Sequence, residues 1–373
     1  MPAENKTLTL LKELNQADVQ AEFNAPVVKP LSFRTVAPLK LTPKFEQKVI
    51  EMDGGAPLAA NRIAFNSKMP LKSRRVLGSV LVELGKIGMA LELNERELQE
   101  LDEIRSGVSG DVAKQYIVDK VYGDINIVKE GADASIEEMV GHLHSTGKSL
   151  INTTENLNGD VEGDEINFFA GKTSQFGGVS AADQYFNAYS TADGLGEIIK
   201  AWKEKTKEKA RYVTMTKACF NNIISQEKTK KRLLSAAALI SGQDQFALIT
   251  VQTVNAYMAA GGFPQIIVVN SAISKERAKG EFVEVNPYSD TVVLFHENVN
   301  FAQTLYKPKK LASNAAGVIQ TQNEYATLTV KEDVNPDRVL TYSEAYVFVL
   351  PVKRNSMYFL NTMATTWNNG KSK

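Results

Sequence analysis

The chain has 373 residues, more than a single compact core usually holds, so we expect two domains or one large elaborated domain. Hydrophobic residues make up 43% and charged residues 23%, which is typical of globular proteins and excludes a fully disordered or collagen-like chain. Lysine plus arginine and aspartate plus glutamate both total 43, so no net charge favours nucleic acid or a membrane as a partner.

The N-terminus, the apolar runs and the cysteine content indicate the compartment. The first residues lack the apolar segment of a secretory signal, and the longest apolar runs, such as 236–240, are too short to span a bilayer. Cys219 is the single cysteine, so neither an intrachain disulfide nor a thiolate zinc cluster can form. We therefore expect a soluble protein made in a cytoplasm, with no membrane partner.

The first part of the chain is predicted to contain an arm and a long hairpin. Residues 1–44 show a weak helical pattern and then prolines at positions 26, 30, 38 and 43, which favour an extended arm. Short strands are predicted at 49–52 and 87–93 from their apolar and alternating patterns. The segment between them contains glycines and prolines and is long, which predicts a hairpin that reaches away from the body.

Two capping boxes predict helices after this hairpin. Asn94 with Glu97 begins the first helix. Ser135 with Glu138 begins a longer one, in which apolar residues keep helical spacing for about 22 residues, or roughly 33 Å. This is the longest predicted element and a plausible backbone for the fold.

A compact α/β unit is predicted over residues 193–300. It begins with an amphipathic helix around Trp202, after which strand and helix patterns alternate as in α/β folds. These strands and helices are predicted at 211–215, 216–226, 250–260, 264–269 and 291–295. The C-terminal part returns to strands, predicted at 325–330, 345–352 and 357–362.

Two segments resemble a phosphate-binding loop only in part. Gly147-Lys148-Ser149 follows Gly141 with five residues between the two glycines, whereas the loop needs four. The stretch also lies within a helical pattern, whose amides are already hydrogen-bonded. Gly171-Lys172-Thr173 has Ile166 where the first glycine should stand. We therefore predict no nucleotide cofactor.

The other candidates for chemistry also favour structural interpretations. His142 and His144 lie two residues apart, which on a helix places them on different faces and argues against a shared metal, so we predict a solvated helix face. His296 lacks a recognisable serine or cysteine partner, and the acidic run at 160–165 is typical of a solvated loop. We predict no catalytic residue, no cofactor and no metal.

Charges of opposite sign are segregated along the chain. Segment 53–75 has five basic residues against one acid, whereas 92–105 has six acids against two bases and 155–165 has five acids against none. Solvated faces would explain this pattern; alternatively, the basic excursion of one copy lies on the acidic region of another. Residues 200–232, with eleven bases and three acids, form another basic surface. The predicted inter-subunit contacts are Arg62, Lys68, Lys72, Arg74 and Arg75.

Several short segments stand in an order that is shared with a known family. Before the first long helix these are Ala60-Asn61-Arg62-Ile63 with Pro70 and Arg74, and Leu91-Glu92-Leu93. Those of the α/β unit are Arg211-Tyr212-Val213-Thr214-Met215, Phe220-Asn221, 250–257, Pro264-Gln265-Ile266-Ile267-Val268 and Val292-Val293-Leu294. Near the end they are Val349-Leu350-Pro351 and Met357-Tyr358-Phe359. Over about residues 45–365 this order resembles the major capsid proteins of tailed bacteriophages, especially the branch similar to head protein E.

The resemblance implies an α+β fold, the tailed-phage major capsid protein fold of the Hong Kong ninety-seven type. Its expected parts are an N-terminal arm at 1–44, an extended loop at 45–85, a peripheral domain with a long spine helix at 86–192, an α/β axial domain at 193–300, and strands at 301–373 that return to the peripheral domain. We expect the arm to be ordered mainly by neighbouring subunits, because its prolines disfavour a helix or central strand of its own.

The resemblance also implies a function. It predicts a structural, non-enzymatic major capsid protein that self-assembles through hexamers and pentamers into the icosahedral head shell of a phage. Expected partners are further copies of the chain, scaffolding, portal and decoration proteins, and packaged DNA without sequence-specific contacts. The expected location is the virion, after assembly in the host cytoplasm. Two alternatives remain: the shell protein of a bacterial nanocompartment, and a nucleotide-binding enzyme that uses Lys148 or Lys172.

Overall fold

The architecture was obtained from a computed structural model. It describes residues 16–25, 31–52, 76–107, 110–150, 165–169, 173–178, 191–241, 249–278, 280–311, 318–334 and 337–368. The helices are α1 (Gln16–Asn24), α2 (Phe33–Val36), α3 (Glu95–Gly107), α4 (Gly110–Thr146), α5 (Gly194–Thr206), α6 (Lys217–Ser225), α7 (Glu227–Ser241) and α8 (Val251–Ala260).

The strands belong to two larger sheets and to three pairs. They are β1 (Leu39–Leu41), β2 (Glu46–Met52), β3 (Val76–Glu83), β4 (Gly85–Leu93), β5 (Lys148–Leu150), β6 (Glu165–Asn167), β7 (Gln175–Gly177), β8 (Tyr212–Thr216), β9 (Gln265–Val269), β10 (Ile273–Ala278), β11 (Glu281–Val285), β12 (Val292–His296), β13 (Ala302–Lys307), β14 (Val318–Gln322), β15 (Ala326–Val334), β16 (Asp337–Pro351) and β17 (Tyr358–Asn361).

Helix α4 is longer than predicted and starts earlier. It begins at Gly110, so the predicted start at Ser135 is wrong, and its 37 residues correspond to about 55 Å. Ser135 lies inside the helix, where its hydroxyl donates to the Gly131 carbonyl at 3.0 Å instead of capping an N-terminus. The helix ends at Thr146 because Gly147 adopts a left-handed conformation with φ of +75°, so the predicted continuation beyond this point is wrong as well.

One face of α4 carries an apolar stripe that packs on the larger sheet. The stripe keeps spacings of three and four residues, and the side chains that the core buries are Val121, Ile125, Val128, Ala132, Ile136, Val140 and Leu143. The hydroxyl of Ser343 on β16 donates to the Val128 carbonyl at 2.6 Å. Helix α4 and this sheet thus share one hydrophobic core.

The larger sheet is organised around β16. Its strand order is β1-β13-β16-β15-β14, and β4 also pairs with β16. Strand β16 is antiparallel to β4, β13 and β15, which explains why nearly all of its side chains are buried or half-buried.

The predicted α/β unit is present, and its sheet contains two strands from outside residues 193–300. The strand order is β7-β17-β12-β8-β9, and β8, β9 and β12 each begin within one residue of their predicted starts. Strand β17 was expected to return to the peripheral domain with the other C-terminal strands. It pairs instead with β12. Its Phe359 and Leu360, at most 1% exposed, belong to different hydrophobic cores: Phe359 to the core that includes the α4 stripe, and Leu360 to a second core inside the α/β unit.

The described parts of the arm pack on the chain itself, which corrects the prediction that mainly neighbouring subunits order it. Val19 and Phe23 on α1, and Phe33 and Val36 on α2, are at most 1% exposed. Strand β1 follows Pro38 and pairs with β13 at the edge of the larger sheet, a position where proline is tolerated. The prolines restrict the local backbone, but the buried apolar side chains supply the contacts that hold the arm in place.

Candidate functional site

The residues predicted to contact other subunits lie outside the described part of the chain. Arg62, Lys68, Lys72, Arg74 and Arg75 all fall within 53–75. The structure does describe the two strands that flank this segment: β2 and β3 pair antiparallel, with Glu46 opposite Glu83. The two residues that border the segment, Met52 and Val76, therefore lie on paired strands.

The basic residues at 200–232 lie on α5, α6, α7 and the turns between them. All eleven are exposed: Lys200, Lys203, Lys205, Lys207, Lys209, Arg211, Lys217, Lys228, Lys230, Lys231 and Arg232. Arg232 also bonds to Asp193, the N-cap of α5, and this hydrogen bond raises the pKa of Arg232. Burial opposes ionisation of Asp193, but hydrogen bonds from Arg232 and the Gly196 amide lower its pKa overall. The predicted basic surface is thus formed on the outside of the α/β unit.

Some acidic residues of the region 92–105 form hydrogen bonds and ion pairs within the chain itself. The backbone N–H of Asn94 donates to the Glu97 carboxylate at 3.0 Å, and the backbone N–H of Glu97 donates to the side-chain oxygen of Asn94 at 3.1 Å. These two bonds confirm the capping box that begins α3. Glu92 lies 3.5 Å from Arg338, which also binds Asp333 at 3.1 Å. Most of the second acidic run, 155–164, lies outside the described residues.

Two buried carboxylates on α4 hold the arm. The Phe33 amide donates to Glu137 at 2.6 Å, and Arg34 binds Asp133 at 3.0 Å. The Tyr325 hydroxyl also donates to Asp133, at 2.6 Å. Burial raises the pKa of Glu137. Because both carboxylates are bonded to the chain itself and are at most 3% exposed, they anchor the arm rather than face a substrate.

Two histidines and a threonine form a polar contact between the two hydrophobic cores. His144 Nε2 on α4 donates to the Thr214 carbonyl on β8 at 3.2 Å. The Thr214 hydroxyl donates to His296 Nε2 at 2.7 Å, and His296 Nδ1 donates to the Asn298 carbonyl at 2.5 Å. In the neutral imidazoles these bonds place the proton of His144 on Nε2 and that of His296 on Nδ1. Burial lowers the pKa of both His144 and His296 to about 4.

The predicted solvated face for the histidines of α4 is wrong for His144, which is 0% exposed. His144 follows Ile136 and Val140 at intervals of four residues, so it continues the buried stripe. That spacing is the sequence signal that could have placed it in the core. His142 is half-buried and lines a cavity of about 290 Å³ with Lys275, which binds Glu138 at 2.6 Å.

The nucleotide-binding alternative finds no support in the geometry. Gly147 ends α4 and is followed by a strand, and the Ser149 hydroxyl is buried and bonded to the Val349 carbonyl. A phosphate loop has the opposite order, with a strand before the glycines and a helix after them. Lys172 lies outside the described residues. Among the described side chains, no three metal-ligating groups come together, and no described helix is long and apolar enough to cross a membrane.

Similarity to solved structures lies in the fold and not in the sequence. No protein-family model and no curated protein matches the chain. A prophage protein of E. coli CFT073, assigned as a capsid protein, superposes with a TM-score of 0.54 at 13% identity, over 93% of this chain and 99% of that one. The chain has the phage capsid fold.

Two phage assemblies match the chain at lower similarity. The satellite phage P4 procapsid matches with a TM-score of 0.45 at 9% identity, over 97% of this chain and 91% of that chain. The mature capsid of bacteriophage PhiM1 matches with a TM-score of 0.41 at 7% identity, over 90% and 88% of the two chains. For a protein with this fold, the surfaces described above are the candidate functional sites.

Proposed function

We propose that the chain is the major capsid protein of a tailed bacteriophage and forms the icosahedral shell that encloses the DNA. The observation that carries this proposal is the likeness to the E. coli prophage capsid protein over nearly the full length of both chains. The buried carboxylates and histidines support it, because they are bonded within the chain and serve its structure. A structural role is therefore favoured over catalysis.

In this proposal the chain assembles with itself into hexamers and pentamers. Residues 193–300 form the axial domain around the capsomer axis, and the segment from 45 to 85 is the extended loop that reaches a neighbour. Scaffolding, portal and decoration proteins would bind the assembled lattice. The balanced charge of the chain supports a container for DNA that makes no sequence-specific contacts. The mature location would be the virion, after assembly in the host cytoplasm.

Replacing Arg62, Arg74 and Arg75 together by alanine is expected to reduce assembly while the subunit still folds. Arginine binds a carboxylate through two N–H groups, which suits contacts with an acidic region of a neighbour. Circular dichroism measures folding and sedimentation measures the assembled fraction. The triple lysine variant is the matched control: it keeps the charge, loses the paired N–H geometry, and should assemble to an intermediate extent. Normal assembly of the alanine variant, or loss of subunit folding, would contradict an inter-subunit role.

Electron microscopy of negatively stained particles distinguishes the proposed head from a nanocompartment with the same fold. Particles purified from cells that produce the complete phage should be tailed and should contain nuclease-resistant DNA. Particles filled with a protein cargo and free of DNA would favour the nanocompartment instead.

A further inference from the structure

The β10–β11 hairpin has two faces of different character. Directly paired residues of an antiparallel hairpin lie on the same face, and Ile273 pairs with Val285 while Lys275 pairs with Val283. These four residues are buried or half-buried, and Lys275 binds Glu138 of α4 at 2.6 Å. This inner face therefore attaches the hairpin to its own subunit.

The outer face of the hairpin carries an exposed aromatic ring between two acids. It contains two further pairs, Ser274 with Glu284 and Glu276 with Phe282, and all four residues are exposed. Phe282 is 67% exposed, the highest value among the large apolar side chains that the structure describes. Glu276 accepts a hydrogen bond from the Gly280 amide at 2.8 Å, which fixes its carboxylate beside the ring. We call Glu276, Phe282 and Glu284 the hairpin patch.

Helix α7 also carries an exposed apolar side chain beside charged residues, and here the charges are positive. Leu234 is 40% exposed, and Lys230 and Lys231 precede it by four and three residues, which makes both its neighbours on the helix surface. Both lysines are exposed. We call Lys230, Lys231 and Leu234 the α7 patch. In both patches an apolar side chain is flanked by charges, and the charges are of opposite sign.

We propose that the hairpin patch of one subunit binds the α7 patch of a second copy of this chain. Phe282 would pack on Leu234, and Glu276 and Glu284 would face Lys230 and Lys231. An apolar centre with a charged rim is the usual composition of a protein interface, and opposite charges on the two sides select the partner and its orientation. This inference rests on the proposed function, because it assigns one of the contacts that self-assembly requires.

The proposed contact is heterologous. The two patches lie on different elements of one chain and both are exposed, so each subunit can use its hairpin patch toward one neighbour and its α7 patch toward the other. Such a contact generates a closed ring when the rotation between neighbours closes. In the closed capsomers of the proposed function, the contact would join neighbouring subunits of one ring.

Two charge-reversed full-length variants test the proposal. The hairpin variant carries E276K and E284K, and the α7 variant carries K230E and K231E. Each variant alone should lower the assembled fraction, measured by sedimentation, by about tenfold, because like charges then face each other. Combining all four substitutions in one chain should restore assembly, since both sides of the contact are then reversed together and every contact in a ring of five or six subunits again joins opposite charges. Both variants should keep the wild-type circular dichroism spectrum, because all four residues are exposed.

The outcomes separate this inference from the proposed function. If the wild-type chain assembles and each variant assembles equally well, the contact is wrong and the shell proposal stands. Failure of the chain with all four substitutions to recover assembly, although it is folded, also overturns the contact. If the wild-type chain forms no large particle, it is the proposed function that fails. As a further control, K40E with K310E reverses two exposed lysines that lie outside the α7 patch and outside the basic surface at 200–232, and should leave assembly close to wild type.

Discussion

Replacing Phe33 by alanine is expected to lower the free energy of unfolding by about 3–5 kcal/mol, the usual cost of removing a buried aromatic side chain. Phe33 belongs to the arm, yet it is 0% exposed and its amide donates to the buried Glu137 carboxylate at 2.6 Å. The substitution leaves a cavity against α4 and weakens the attachment of the arm. The effect should appear in urea denaturation of the unassembled subunit, followed by circular dichroism.

Leu41→Ala is the matched control for this experiment. Leu41 lies in the same arm and also loses a large apolar side chain, but it is 60% exposed. Its substitution should change the free energy of unfolding by less than about 0.5 kcal/mol. If Phe33→Ala were as mild as Leu41→Ala, the arm would not belong to the core of its own subunit, and the expectation of ordering by neighbours would regain support.

Lowering the pH from 7 to 4 is expected to weaken the fold through its two buried histidines. Burial lowers the pKa of His144 and His296 to about 4, whereas unfolded histidine has a pKa near 6.5. As the pH falls, the histidines of the unfolded chain are protonated before those of the folded chain. The contribution of the two neutral histidines to the free energy of unfolding is therefore complete above about pH 6.5 and is lost as the pH falls toward 4. A pKa difference of about 2.5 units corresponds to roughly 3 kcal/mol for each histidine.

Glutamine variants isolate this effect from other titrating groups. Burial raises the pKa of Glu137, so this carboxyl changes stability in the opposite direction in acid, and only differences between variants are informative. His144→Gln and His296→Gln should each flatten the dependence of unfolding free energy on pH between 6.5 and 4. Equal slopes in wild type and both variants would contradict the assignment.

The elements that the sequence predicts correctly are those specified by short-range patterns. The spacing of Ile198, Ile199 and Trp202 defines the buried face of α5, and all three are at most 8% exposed. Thr250 caps α8 through a hydrogen bond with the Thr253 amide at 3.2 Å, and the alternation of strands and helices around it gives the α/β unit. Local patterns and tertiary structure agree in this region.

Distant contacts account for part of what the sequence could not show. The burial of His144 follows from its spacing after Ile136 and Val140, but its partner is the carbonyl of Thr214, 70 residues away, and no local pattern reveals that bond. The prolines of the arm restrict its backbone conformation, but the position of the arm on the protein depends on Glu137, which is 104 residues from Phe33. Ser135 lies inside a helix and caps none, because its hydroxyl donates to the Gly131 carbonyl one turn earlier. Among the candidate contacts, the hairpin patch could not be predicted, because only the register of β10 with β11 puts Phe282 beside its acids.

The mass of the purified full-length protein, measured by light scattering, tests the central claim most directly. A shell subunit should form a species in the megadalton range, built from many copies of a chain of 41.0 kDa. We expect this species in the wild-type protein at neutral pH. A monomer or dimer that persists at high protein concentration would contradict the assignment as a self-assembling capsid protein.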